Sequence, residues 1–87
     1  MKKITISVNF NEWGHGYINV IPTTYSEWDP TSSSSQDYNL DPGDYSFTYN
    51  TVTGNGGSIV ITDETGTQLG NNALAAGMDQ GNFRLTI

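Results

Sequence analysis

Strict alternation of apolar and polar residues recurs along this chain, and a period of two is the signature of β-strands lying between a core and water. Ile4, Ile6, Val8 and Phe10 alternate with Thr5, Ser7 and Asn9; Ile18 and Val20 flank Asn19. Tyr45, Phe47 and Tyr49 alternate with Ser46, Thr48 and Asn50. Ile59 and Ile61 alternate with Ser58 and Thr62, with Val60 breaking the pattern, and Phe83, Leu85 and Ile87 alternate with Asn82, Arg84 and Thr86. One buried and one wet face per strand is the arrangement of antiparallel sheets.

Turn-forming residues separate these runs. Trp13-Gly14-His15-Gly16, Asp41-Pro42-Gly43-Asp44, Gly54-Asn55-Gly56-Gly57, Asp63-Glu64-Thr65-Gly66 and Asp79-Gln80-Gly81-Asn82 all read as turns. Short edge strands are expected at Tyr38 to Leu40 and Thr67 to Leu69, and one helical turn at Asn71 to Gly77. The plan that follows is hairpin, long loop, hairpin, loop, last strand. A faint internal repeat lays Ile4, Ile6, Val8 and Asn9 on Tyr45, Phe47, Tyr49 and Asn50. The expected fold is all-β, a small antiparallel β-sandwich of about five to seven strands, with a small open barrel as the alternative.

The chain has 87 residues, enough for a single domain spanning 1–87. The segment at about 22–37 reads as a long loop, with a mobile Ser-rich part within Thr31 to Asp37 and two aromatics, Tyr25 and Trp28, before it. With no Cys, thiol chemistry and disulfides are excluded. Nine carboxylates face three cations, for a net charge of −6, and the cations are confined to Lys2, Lys3 and Arg84. Nucleic acid and anionic membranes are therefore not expected partners, because both need basic patches. No apolar h-region follows the opening lysines, so the default expectation is a cytosolic protein unless a leader has been removed.

Motifs for catalysis are missing. His15, the only imidazole, lies between two glycines in what reads as an exposed turn. There is no Gly-x-Ser-x-Gly elbow, and Gly54-Asn55-Gly56-Gly57 is followed by no Lys, so it is not a P-loop. The expectation is a non-enzymatic protein without a cofactor. Calcium is the one metal considered, with Asp37, Asp41 and Asp44 as oxygen ligands, although their spacing departs from an EF-hand loop and a solvated acidic surface also explains them. Aromatic residues carry the strongest functional signal. Trp13, Tyr17, Tyr25, Trp28 and Tyr38 fall in the first half, outside the core-facing alternation or in loops. Trp13, Tyr17, Tyr25, Trp28 and Asp29 are the expected ligand-binding residues, since flat rings with polar tips anchor sugars and protein partners at low entropic cost. Trp13 and Trp28 could equally plug the ends of a small sandwich.

The segment Leu40-Asp41-Pro42-Gly43-Asp44-Tyr45-Ser46-Phe47, followed by Ser58-Ile59-Val60-Ile61-Thr62-Asp63-Glu64-Thr65-Gly66, resembles bacterial accessory β-sandwich modules, both immunoglobulin-like and pre-peptidase C-terminal domains. The resemblance covers about residues 38–66 and the last strand. It implies a non-catalytic module that binds protein or carbohydrate, or acts as a spacer. The leading expectation is a binding module with an aromatic and acidic patch, for a protein slightly ahead of a carbohydrate. One alternative is a structural or assembly component of a fibre, virion or surface. Another is a small acidic inhibitor, such as a phage-encoded anti-defence protein.

Overall fold

The alternating runs form seven strands in two antiparallel sheets. The structure, a computed structural model of the chain, describes residues 1–22 and 27–87. The strands are β1 (Lys2–Phe10), β2 (Gly14–Ile21), β3 (Ser34–Leu40), β4 (Asp44–Thr53), β5 (Gly57–Asp63), β6 (Gln68–Leu74) and β7 (Gly77–Thr86). One sheet has the order β3-β1-β5-β6 and the other β2-β4-β7. The sheets stack as a sandwich and do not close into a barrel. The described residues include no helix long and apolar enough to cross a membrane.

The inner faces are the apolar faces read from the sequence. Ile4, Ile6 and Val8 of β1 meet Ile59 and Ile61 of β5, and Ile18 and Val20 of β2 meet Tyr49 and Phe47 of β4. Tyr38 and Leu40 complete the core from β3, so Tyr38 is a packing residue, not part of an exposed aromatic patch. Val60, the break in the alternation, simply faces outward opposite Ser7.

Several local expectations are corrected. β1 and β2 are not a hairpin, nor are β4 and β5; each pair is split between the two sheets. Among the described strands only β5 and β6 are both consecutive and paired. Alternation reports which side of a strand is buried but not which neighbour completes the ladder. The chain instead switches sheets at nearly every connection, which brings the two apolar faces together. The run expected to be mobile is ordered from Ser34, where β3 pairs with β1 from Val8↔Ser34 to Lys2↔Leu40. Backbone ladder bonds hold it, with little apolar area needed beyond Tyr38 and Leu40. The expected helical turn at Asn71 is instead part of β6, paired to β5. The expected turn at Asp79 to Asn82 lies inside β7, which pairs with β4 without interruption from Thr53↔Gly77 to Asp44↔Thr86.

Two polar anchors fix the loops. Asp63 accepts bonds from the Thr65 hydroxyl (2.6 Å) and from the amides of Thr65 (2.9 Å) and Thr67 (3.0 Å). The Thr65 hydroxyl, those amides and Lys2 hold its carboxyl below the usual range, against an opposing contribution from desolvation. At the other end, Thr53 is 2% exposed. Its hydroxyl accepts from the Gly56 amide (2.8 Å) and donates to the Ala75 carbonyl (3.2 Å), tying the β4–β5 and β6–β7 connections together. Gly56 has φ 77°, a conformation that favours glycine, and a Cβ there would press on the Leu74 carbonyl at 2.7 Å. Thr53→Val keeps the shape but strands the Gly56 amide, so a loss of about 1–3 kcal/mol is expected. Urea melts with an unchanged m-value would register it.

Candidate functional site

The outer face of the β2-β4-β7 sheet carries the candidate site. Outward residues line up in cross-strand rows: His15–Val52–Met78, then Tyr17–Asn50–Gln80, then Asn19–Thr48–Asn82. Tyr17 is 40% exposed and Met78 is 86% exposed. The first two rows floor a groove of about 660 Å³, walled by Glu27 and Asp29 on one side and reaching Asp79 on the other.

Glu27 and Asp29 reach this face because the chain returns along the edge of β2. Trp28 and Ile18 exchange both backbone bonds (2.8 and 3.0 Å), and the Gly16 amide donates to the Pro30 carbonyl (3.0 Å). Side chains directly opposite in an antiparallel pair share a face. Trp28 therefore sits on the inner side with Ile18 and packs against the core, while Glu27 and Asp29 flank the outward Tyr17. Gly16 is required at this point, since a Cβ would run into the Asn50 carbonyl of β4. The two carboxyls lie close enough to share a hydrogen bond. That bond, then desolvation and the Asp29 charge, raise the Glu27 pKa above the usual carboxylate range, with the Asn19 amide opposing. Among the described residues no lysine or arginine lines the groove.

Trp13 approaches from the β1–β2 connection. Its amide donates to the Asn11 carbonyl (3.0 Å) around Glu12, whose φ of 70° is the strained hand of a γ-turn. The Trp13 carbonyl accepts from the Gly54 amide (3.0 Å), and its indole covers Gly54, where a Cβ would collide with it. The ring is 54% exposed and stacks on His15 with centroids 6.4 Å apart. Strain held in place by such contacts is a recurrent feature of binding sites.

Of the residues singled out from the sequence, Trp13, Tyr17 and Asp29 gather at one end of this face. His15 joins them from within β2, not from the turn expected of it. Trp28 belongs to the core side, and Tyr25 lies outside the described residues. Val52, Asn50, Met78, Gln80 and Glu27 also form the site and were not singled out for it. Outward parity marks Asn50 and Val52, whereas Gln80 falls in the segment expected to turn, and only the pairing of β7 with β4 brings Met78 and Gln80 beside Tyr17.

The calcium candidates are spread out and otherwise engaged. Asp37 accepts from the Thr5 hydroxyl (2.7 Å) and lies 3.9 Å from Lys3, on the other sheet. Asp44 accepts from the Thr86 hydroxyl (2.8 Å), and Asp41 offers its carbonyl to the Tyr45 hydroxyl (2.8 Å). Among the described residues no group of three or more His, Asp or Glu side chains comes together to hold a metal ion.

Comparisons of the chain with protein-family models, with curated proteins and with solved structures find no match.

Proposed function

We propose that this protein is a non-catalytic binding module that holds a basic side chain of a protein partner in the groove on its outer β2-β4-β7 face. One observation carries the reading: an aromatic and apolar floor of Tyr17, Val52 and Met78 lies beside the Glu27 and Asp29 carboxylates, with no cation among the described lining residues. The aliphatic stem of a lysine or arginine suits such a floor, and its charged head suits the carboxylates. A guanidinium can also lie over the Tyr17 ring. The Glu27 carboxyl, whose pKa is raised by its hydrogen bond with Asp29, then by desolvation and the Asp29 charge, gains a compensating charge from an incoming cation. Placing the charge contacts near the aromatic anchor gives orientation and specificity.

The amide row of Asn50 and Gln80 beside Tyr17 favours a second reading, in which a neutral glycan stacks on the ring. The two separate in an amide-shift titration with an acetylated Gly-Arg-Lys-Arg-Gly peptide and with a neutral β-glucan hexasaccharide. The peptide is expected to move the Gly16, Tyr17, Asn50 and Gln80 amides, with binding that weakens as salt rises and at least a tenfold loss in Tyr17→Ala. Groove shifts with the hexasaccharide alone, indifferent to salt, would replace the protein reading by the glycan one.

A further inference from the structure

We infer that β7 is a self-pairing edge, through which two copies of this chain join their β2-β4-β7 sheets into one continuous antiparallel sheet. Pairing at this edge goes beyond the groove reading and stands without it, because it is made by the backbone groups of β7 and not by the groove side chains.

Gly43 and Ile87 exchange both backbone bonds (3.1 and 2.8 Å), just beyond the Asp44↔Thr86 pair. Bonded and non-bonded pairs alternate along an antiparallel ladder. Ile87, Leu85, Phe83, Gly81 and Asp79 therefore direct their backbone groups to β4, and Thr86, Arg84, Asn82, Gln80 and Met78 direct theirs away from it. Among the described residues β4 is the only strand paired with β7. The outward groups thus form an unbroken edge with no proline and no bulge. Such an edge is a template for another strand. The second edge of the same sheet differs, since Trp28 and Pro30 cover β2, and in the other sheet the β5–β6 pairing shifts register at Ile61/Thr62.

A second copy fits this edge for three reasons. The outward-directed residues are symmetric about Asn82, so a two-fold axis there pairs Asn82 with Asn82, Gln80 with Arg84 and Met78 with Thr86. That register uses the whole edge and makes about ten new backbone bonds. The charges of β7, Asp79 and Arg84, cancel locally although the chain carries −6. Symmetry about Asn82 also keeps the two Arg84 side chains apart. Lastly, the inner residues Phe83, Leu85 and Ile87 are only partly buried, unlike the apolar inner residues of β1 and β5. In the paired sheet Phe83 of each copy lies across from Gly81 of the other. An isologous contact of this kind closes on itself and does not propagate into a fibre.

Light scattering across a hundredfold concentration range should show the mass doubling to a dimer and no further. Higher salt should favour the dimer, since two chains of −6 repel at long range. Asn82→Pro removes an outward amide without touching the β4 ladder and should raise the dissociation constant at least tenfold. Because the chain has no Cys, Asn82→Cys gives a single thiol that faces its mate across the axis. It should form a covalent dimer with diamide, whereas Gln80→Cys, displaced from its own mate, should not. A chain that stays monomeric throughout would overturn the inference. So would a dimer indifferent to Asn82→Pro, or one that crosslinks equally through both cysteines. Opposite salt responses, strengthening for the dimer and weakening for the basic peptide, keep failure here distinct from failure of the groove reading.

Discussion

Phe47→Ala is expected to take most of the stability of this domain with it. Phe47 is 1% exposed and stands mid-row on the inner face, between Val20 of β2 and Phe83 of β7. It packs with Ile6, Ile18, Ile59 and Ile61 from both sheets. Truncating a buried Phe removes transfer free energy and leaves a cavity, at about 3–5 kcal/mol. A domain of this length holds roughly 5–10 kcal/mol in all. The cavity has little prospect of collapsing, because Phe47 itself and its neighbours Ile6, Ile59 and Ile61 belong to β4, β1 and β5, whose backbones are pinned on both sides. The melting temperature should fall by roughly 12–40 °C, on the scale of 4–8 °C per kcal/mol for small domains. Thermal melts followed by circular dichroism would measure it. A fall of only a few degrees would mean that the core is centred elsewhere.

The row through Phe47 also shows what the sequence could and could not reveal. Its burial was legible because Tyr45, Phe47 and Tyr49 share a parity, and parity is a local property. Its neighbours were not, because β2 and β7 meet β4 from distant parts of the chain. The hairpin expectation failed for the same reason. A turn such as Gly54-Asn55-Gly56-Gly57 states that the chain reverses, not whether it reverses within one sheet or across the core. The faint repeat between Ile4 to Asn9 and Tyr45 to Asn50 turns out to mark the interior strands β1 and β4, which are paired on both sides. Such strands need the most regular alternation. The weak signals at the Ser-rich run and at Asn71 belong to edge strands, which bury little and so leave little pattern.

The site was legible in proportion to how local each contribution is. Tyr17 was readable from its parity opposite Ile18 and Val20. Trp28 was not, because its direction is set by the bridge to Ile18, a contact between β2 and a returning segment that carries no alternation of its own. That bridge separates Trp28 from the aromatic patch and at the same time delivers Glu27 and Asp29 to it. The carboxyl pair is thus a product of tertiary structure: residues two apart on an extended segment share a face, but nothing in the sequence shows that this face is Tyr17's.

That pair supplies the largest expected effect on binding. Reversing both charges, Glu27→Lys with Asp29→Lys, should abolish measurable binding of the Gly-Arg-Lys-Arg-Gly peptide, a loss of roughly a hundredfold at low ionic strength. The fold should survive, because both side chains point outward and the Trp28 backbone bonds are untouched. Protonation should act in the same direction. The raised pKa of Glu27 means that a proton is taken up more readily in the folded chain than by an ordinary carboxylate. A bound cation competes with that proton, so affinity should fall as pH drops through the raised range, and binding should push the Glu27 pKa back down. The single change Glu27→Gln should flatten this dependence while keeping much of the shape of the groove. His15 lines the same groove, so the comparison is made in a His15→Asn background. Calorimetric titrations at stepwise pH in that background would decide the matter. Affinity independent of pH, together with undiminished binding by the doubly reversed variant, would remove the carboxyl pair from the binding face and leave Tyr17 and its amide row as the only anchor there.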